Sequence, residues 1–269
     1  MSKQPLMPPF EKKVHLKDYD PAYTGSYEDE SEVQEQLNKD LDRLRDLQEV
    51  LYAERKRTVL IVLQGIDTGG KDGTIGHVFR GLNPQGVEIT AFKQPSAEEL
   101  SHDFLWRVHH RVPPQGMIGV FNRSHYEDVL VVRVHDLVPK KVWKARYEII
   151  NHFEEMLVEQ DVVILKFFLY ISKDEQKERL QSRIDNPHKQ WKFALGDLKE
   201  RELWDDYVEA YEDMLTKCNT ETAPWYIVPA NHKWYRDLVV TRTIVEALDK
   251  LNLKYPKPVE GLENVVIPD

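Results

Sequence analysis

Short apolar runs recur along the chain and are separated by stretches with helical periodicity. The run at residues 59–63 contains no polar side chain, which is typical of a strand buried on both faces. The other runs lie at residues 87–92, 117–121, 162–169 and 225–228. Strands that alternate with helices pair in parallel, so the pattern predicts an α/β fold built on a doubly wound parallel sheet.

The first 55 residues have a different pattern. Residues 1–31 are rich in Pro, Lys, Asp and Tyr without a clear period, and we predict an extended arm over the surface. An apolar stripe at spacings of three and four then predicts an amphipathic helix: Val33, Leu37, Leu41, Leu44, Leu47 and Leu51. The stripe is too short for a coiled coil, so we expect a docking face, which also suggests self-association into a dimer or tetramer. We therefore divide the chain into an arm and helix at residues 1–55 and a main domain at residues 56–269.

Residues 172–218 contain two predicted helices and no strand. Asn186-Pro187 and the stretch to Gly196 separate the helices. A helical hairpin inserted between strands is typical of a lid over an active site, and a plain structural hairpin is the alternative. Capping boxes are predicted at Ser96/Glu99 and Ser172/Glu175, with a weaker one at Asp197/Glu200.

Composition limits the classes of partner. The 269 residues carry a formal net charge of -9, which disfavours general nucleic-acid binding because phosphate backbones would be repelled. Cys218 is the single cysteine, so neither an intrachain disulfide nor a multi-cysteine metal site can form. No apolar run has the length of a membrane span, and residues 1–17 lack the apolar segment of a signal peptide. We expect a cytoplasmic protein without membrane or nucleic-acid partners.

A glycine-rich turn directly follows the run at residues 59–63. Gly65, Gly70 and Lys71 keep the spacing G-x-x-x-x-G-K, in which backbone N–H groups and the start of the next helix bind phosphate. Asp72 stands where Ser or Thr normally binds magnesium. Asp67 would face the phosphates and be repelled unless a metal ion lay between them, which indicates a magnesium ligand or a group that orients the acceptor.

A second group of charged residues follows the run at residues 117–121. Arg123 is placed to stabilise a transferring phosphoryl group, and Asp128 to hold magnesium or its waters, because both follow a central parallel strand. The alternative is an exposed helix start, where acids such as Glu127 and Asp128 are favoured by the helix dipole. Residues 101–146 also form a basic region, which suggests a site for a long or highly charged anion. Its cations are Arg107, Arg111, Arg123, Arg133, Lys140, Lys141, Lys144 and Arg146.

These motifs together resemble the family-2 polyphosphate kinases. The resemblance extends from about residue 33 to residue 255 and includes the loop at 65–74, the stretches at 105–109 and 121–134, and those at 171–176, 185–187, 191–193 and 229–231. It implies a P-loop kinase-like fold, similar to thymidylate kinase, with a helical lid at about residues 172–218. It also implies reversible, direct, Mg2+-dependent phosphoryl transfer from inorganic polyphosphate to nucleotides. The subgroup that the resemblance suggests acts on both AMP and ADP.

The resemblance also implies roles for individual residues. Catalytic roles fall to Asp67, Lys71, Arg123, Asp128 and Arg183, with Asp67 and Asp128 as ligands of Mg2+, or of Mn2+ as a substitute. Phosphate and nucleotide binding fall to Gly65, Thr68, Gly69, Gly70, Lys71, Asp72, Gly73, Thr74, Glu127, Arg133 and Lys192. The expected partners are polyphosphate, AMP, ADP, ATP and guanine nucleotides.

Two alternatives remain at this point. An ATP-dependent kinase of the nucleoside-monophosphate type would share the phosphate loop but would need less positive surface than a polyphosphate enzyme. A non-catalytic nucleotide-binding regulator would not need Lys71 and the acidic residues.

Overall fold

The computed structural model describes residues 6–268 and contains one sheet of five parallel strands in the order β2-β3-β1-β4-β5. The strands are β1 Thr58–Gln64, β2 Val87–Ala91, β3 Ile118–Asn122, β4 Val162–Tyr170 and β5 Trp225–Pro229. Each coincides with a predicted apolar run, and helices cover both faces. The predicted doubly wound parallel sheet of a P-loop kinase-like fold is confirmed.

The α-helices of residues 6–268 precede, connect and follow these strands. They are α1 Ser31–Glu54, α2 Lys71–Val78, α3 Ala97–Ser101, α4 Trp106–His109, α5 Val131–Val134, α6 Lys140–Glu159, α7 Lys173–Asp185, α8 Gly196–Glu202, α9 Trp204–Lys217 and α10 Lys233–Lys250. Short 3-10 helices lie at Leu16–Asp18, Pro84–Gly86, His125–Asp128, Gln190–Lys192 and Leu262–Asn264. None of the helices between residues 6 and 268 combines the length and the apolar character needed to cross a membrane.

Strand β1 lies at the centre of the sheet and is buried along its whole length. Its last residues pair with the ends of its neighbours, Leu63 with Asn122 of β3 and Gln64 with Phe168 of β4. The loops that follow these strands therefore meet at one edge of the sheet, where parallel α/β proteins bind their ligands.

Helix α1 docks on the chain's own core. Val33, Leu44 and Leu51 of the apolar stripe are buried, and Arg43 reaches Asp249 of α10 at 2.6 Å. The predicted docking face is thus confirmed as an internal contact. Because the stripe is not exposed, it no longer supports self-association. The oligomeric state stays a prediction.

The described part of the N-terminal arm runs over the surface with its charged residues exposed, and a few buried apolar side chains anchor it to the core. Val14 and Leu16 are buried, and the backbone N–H of Leu16 donates to Glu212 at 2.8 Å. The carbonyl of Leu6 accepts from the N–H of Ile227 in β5 at 2.7 Å. Isolated apolar residues among charges leave no period in the sequence, although they fill gaps in a core. Residues 1–5 of the predicted arm lie outside the described residues.

The predicted hairpin at residues 172–218 contains three α-helices instead of two. Helices α8 and α9 are separated by Leu203 alone, a break that the sequence pattern did not indicate. Helix α9 buries Ala210 and Met214 in the core, whereas Trp191 and Leu195 of the preceding segment are 78% and 76% exposed.

The predicted capping boxes have different outcomes. The box at Ser96/Glu99 is complete. Ser172 caps α7, while the Glu175 side chain accepts from Arg179 at 2.6 Å instead of closing the box. The box at Asp197 is wrong, because α8 begins one residue earlier, at Gly196.

Candidate active site

The glycine-rich loop connects β1 to α2 in a tight turn. Gly70 immediately precedes α2 and has φ = 102°, a conformation that residues with a side chain rarely adopt. A side chain on Gly65 would meet the carbonyl oxygen of Leu169, and one on Gly69 that of Ile66, each at 2.8 Å. The loop can therefore close around an anion only with glycine at these positions.

Lys71 is buried inside this loop. Its ammonium donates to the carbonyl oxygen of Gly65 at 2.6 Å, so the side chain folds back across the turn. Burial, and after it the charge of Arg123, lower the pKa of Lys71 to about 8, although Asp67 and Glu127 oppose the shift. An anion bound in the loop would favour the charged form of Lys71.

Arg123 joins the loop to the second group of charged residues. It follows β3 with φ = 62°, and its backbone N–H donates to Leu63 of β1 at 3.0 Å. Its guanidinium donates to Asp67 Oδ1 at 2.7 Å and lies 3.6 Å from Glu127 Oε2. The left-handed backbone of a non-glycine residue is unfavourable, and such strain is common at functional sites. The sequence-predicted Asp67, Arg123 and Glu127 thus meet.

A cavity of about 180 Å³ opens between these charged residues and the helices after β4. Gly65, Asp67, Arg123 and Glu127 line one side. The other side is lined by Gln176, Glu200, Tyr207 and Tyr211. Burial raises the pKa of the Glu127 carboxyl, which is partly opposed by Arg123 and Lys71. The cavity therefore combines cations, carboxylates and tyrosine rings at the edge of the sheet.

Asp128 points to a different set of partners. Its carboxylate accepts from Arg146 at 2.8 Å. Burial raises its pKa to about 6, against the opposing charges of Arg146 and Arg107. The structure pairs Asp67 with Arg123 and Asp128 with Arg146, so the two predicted metal ligands do not share one carboxylate cluster.

Whether the site could bind a magnesium ion depends on the side chains available as ligands. Within residues 6–268, no three or more His, Cys, Asp or Glu side chains are grouped to hold a metal. Magnesium commonly uses one or two carboxylates and completes its shell with waters and substrate phosphates. Asp67, beside the phosphate loop, fits such a site, whereas an all-protein metal cage is not formed by the described residues.

The remaining predicted residues of the loop are partly used by the protein itself. Asp72 accepts from Asn122 at 2.7 Å, and the hydroxyl of Thr74 donates to the carbonyl oxygen of Gly70 at 3.2 Å. Thr74 is fully buried, so its hydroxyl stabilises the start of α2. Thr68 has φ = 68°.

Three predicted cations lie away from the cavity. Arg133 contacts Asp213 at 2.7 Å and Glu209 at 2.5 Å, both on α9. Arg183 donates to the carbonyl of Lys192 at 3.1 Å, and the Lys192 ammonium lies 5.0 Å from the centre of the Trp191 ring. None of the three lines the cavity.

Two arginines that the sequence analysis did not single out contact the loop instead. Arg179 of α7 donates to the carbonyl of Thr68 at 2.9 Å. Arg236 of α10 is 1% exposed, lies against Gly70 and contacts Asp237 at 2.7 Å. Arg179 lies one helical turn before Arg183, so a helix-face argument could have found it. No local signal could have found Arg236, because it reaches the loop from the last long helix.

Comparison with known proteins gives consistent matches. The sequence profile of the family described as Polyphosphate kinase 2 (PPK2) matches residues 27–256. An AMP/ADP-polyphosphate phosphotransferase of Meiothermus ruber is 52% identical over 256 residues, which cover 95% of this chain and 96% of that protein. An ADP-polyphosphate phosphotransferase of Rhodopseudomonas palustris is 45% identical over 257 residues, covering 91% and 89%. The crystal structure of Polyphosphate Kinase 2 from Arthrobacter aurescens TC1 superposes with a TM-score of 0.92 at 45% identity, covering 96% of this chain and 93% of that one.

Proposed function

The chain belongs to the polyphosphate kinase 2 family, and we propose that it transfers phosphoryl groups from inorganic polyphosphate to AMP and ADP. The observation that carries this proposal is the phosphate loop with its buried Lys71, which opens beside Asp67, Arg123 and Glu127 in one cavity. The names of the relatives favour polyphosphate over ATP as the donor.

The proposed step is a direct in-line displacement. An oxygen of the nucleotide's terminal phosphate attacks the terminal phosphorus of polyphosphate, and the bridging P–O bond breaks to release a chain shorter by one phosphate. The attacking phosphate oxygen is already ionised at neutral pH, so no side chain has to remove a proton. Lys71 and Arg123 neutralise charge on the transferring group, which is the main contribution a protein makes to phosphoryl transfer. Reversal of the same step explains why either direction can dominate.

Magnesium belongs to the proposal, with Mn2+ as a substitute. Asp67 would hold it together with substrate phosphates, in line with the small number of carboxylates that Mg2+ requires, and Asp128 would join it after releasing Arg146. When bound, the ion neutralises phosphate charge and fixes the phosphate oxygens. Asp67 would then exchange its contact with Arg123 for the ion, which leaves the Arg123 guanidinium free to contact phosphate.

The segment at residues 172–218 is proposed as the lid. Gln176 of α7 donates to the carbonyl of Asp67 at 3.1 Å, so the base of the segment already touches the phosphate loop. Arg183 and Lys192 would have to move with the exposed residues 186–202 to reach a substrate. Arg133, which Asp213 and Glu209 hold outside the cavity lining, is proposed to stabilise the negative charge of the bound anion.

Several cations lie close together beside the loop, which supports a polyanionic substrate. Burial and the charges of Arg179 and Lys189 lower the pKa of Lys233, and Arg236 adds to the same effect. Crowded cations are unfavourable without a counter-charge, and a polyphosphate chain supplies it. The proposal also includes ATP and guanine nucleotides as partners, a homo-oligomeric state and a cytoplasmic location.

The acceptor range is tested by incubating the purified protein with polyphosphate, Mg2+ and either AMP or ADP, with no other phosphoryl donor. Chromatographic separation of the nucleotides should show ADP and ATP from AMP, and ATP from ADP. ATP from ADP alone would keep polyphosphate as the donor and overturn AMP as an acceptor. Transfer that requires ATP as the donor would instead support the nucleoside-monophosphate-type kinase.

A further inference from the structure

A buried charged network lies beneath the turn that carries Glu127 and Asp128, and the proposed chemical step does not use it. Lys166 stands in the middle of β4 with a fully buried side chain, and its ammonium lies 2.5 Å from a carboxylate oxygen of Glu154 in α6. The Glu154 side chain is 2% exposed. A buried ion pair thus links β4 to α6.

The hydrogen-bonding groups at the centre of this network are matched. Lys166 also donates to the hydroxyl of Tyr126 and to the carbonyl of Cys218, each at 2.8 Å, which uses all three N–H donors of its ammonium. The second oxygen of Glu154 accepts from the Tyr126 hydroxyl at 2.8 Å and lies 3.2 Å from Nε2 of His125. Apart from Nδ1 of His125, which is buried without a partner, these groups are satisfied, and such networks hold their members in one arrangement.

Stability alone is a weak explanation for these charges. Replacing a buried ion pair by apolar side chains of similar size is often neutral or stabilising, because both charges must be desolvated. What the network does fix is position. Tyr126 immediately precedes Glu127, and Cys218 follows α9, the helix that presents Tyr207 and Tyr211 to the cavity. Both walls of the cavity are therefore tied to one ammonium group.

We propose that Lys166 and Glu154 are positioning residues for phosphoryl transfer. Through the Tyr126 hydroxyl and the Cys218 carbonyl, they hold the turn of Glu127 and the end of α9 at a fixed separation across the cavity. A displacement of about 1 Å at a reacting centre can reduce a rate on the order of a hundredfold. The inference rests on the proposed function, because its readout is the rate of that reaction.

The substitution Tyr126→Phe tests the central link, because it removes one hydroxyl and keeps the ring. We expect kcat for ADP phosphorylation by polyphosphate to fall about tenfold, while both KM values stay within about twofold, since substrate contacts are unchanged. Tyr226→Phe is the matched control: Tyr226 lies in β5 outside the cavity, its ring stacks on Phe167 of β4, and kcat should not change. An unchanged kcat in Tyr126→Phe, or an equal loss in the control, would overturn the proposal.

A second variant separates positioning from folding. Replacing Lys166 by Met and Glu154 by Leu together removes both charges, and we expect a melting temperature at or above that of the wild type with a reduced kcat. Adding Tyr126→Phe should slow this variant no further, because all three changes break the same network. A folded double variant with wild-type kcat, or additive losses in the triple variant, would contradict positioning. If the double variant does not fold, Tyr126→Phe alone decides the question.

The wild-type protein is measured first in the same assay. Its inactivity with polyphosphate would overturn the proposed function and this inference with it. Activity of the wild type with unimpaired turnover by Tyr126→Phe would overturn the positioning role only.

Discussion

Lys71 gives the site a pH dependence that can be worked out from its surroundings. Burial lowers its pKa from 10.5 to about 8, so in the free protein the side chain loses its proton as the pH rises through about 8. Bound phosphate favours the ammonium form. Binding between pH 8 and 10.5 must therefore take up a proton, and affinity must fall as the pH rises.

We expect polyphosphate binding at pH 9 to take up close to one proton, measured by calorimetry in two buffers with different ionisation enthalpies. Lys71→Met should bind more weakly and remove that proton uptake. Equal heats in both buffers for the wild-type protein would contradict the role of Lys71 as the titrating phosphate ligand.

The local sequence was sufficient to identify the site residues that the ends of the strands bring together. Asp67, Lys71, Arg123 and Glu127 follow β1 or β3 directly, so the sheet brings them together without further information. The Arg183 side chain faces Lys192, and Arg179 contacts the loop instead, so the catalytic role of Arg183 stays a prediction. Which face a helix turns toward a loop is decided by packing, and the charged helix α7 gives little apolar periodicity to indicate it.

At the scale of elements, the start of α2 offers a paired test of the phosphate loop. Gly70→Ala places a side chain at φ = 102° and against the Arg236 guanidinium. We expect it to lower the free energy of unfolding by at least about 1 kcal/mol and to weaken phosphate binding. Gly76 lies in the same helix with open space around it, so Gly76→Ala should raise stability by about 0.5–1 kcal/mol. Chemical denaturation of both variants measures their free energies of unfolding. Equal changes in the two variants would contradict the conclusion that the backbone at Gly70 requires glycine.

The helices and strands that the sequence predicted best are those with the clearest apolar pattern. Four of the five strands follow from unbroken or nearly unbroken apolar runs, which a buried sheet requires, whereas the edge strand β2 is interrupted by Glu88 and Thr90 and is only partly buried. The break between α8 and α9 was missed because one residue, Leu203, turns the chain without Gly or Pro. The capping box at Ser96 was predicted correctly because its hydrogen bonds are local. The box predicted at Ser172 is incomplete, because the Glu175 side chain accepts a hydrogen bond from Arg179 of the same helix.

At the scale of the whole molecule, the proposed lid divides into a fixed and an exposed part. Helix α9 is anchored in the core, while residues 186–202 expose Trp191 and Leu195. We expect amide hydrogen exchange in residues 186–202 to slow when polyphosphate, ADP and Mg2+ are added, because closure would cover this segment. Exchange in α9, which is already buried, serves as the internal control. Unchanged exchange in residues 186–202 under conditions of saturating substrate would contradict a closing lid.

The packing of the N-terminal segment was the whole-molecule feature that the sequence concealed. Val14 and Leu16 are isolated apolar residues in a charged stretch, and their burial depends on partners about 200 residues away. Contacts at such separations leave no local pattern, in contrast to the helical stripe of α1.

The most direct measurement of the central claim is the initial rate of ATP formation from ADP and polyphosphate by Asp67→Asn. Asp67 lines the cavity and pairs with Arg123, and the substitution keeps the shape of a partly exposed side chain. Asp42→Asn, on the exposed face of α1, is the matched control and should turn over at the wild-type rate. The account predicts that Asp67→Asn keeps its melting temperature within a few degrees and loses at least about a hundredfold in rate. A folded Asp67→Asn variant that forms ATP near the wild-type rate would contradict the assignment of this cavity as the site of transfer.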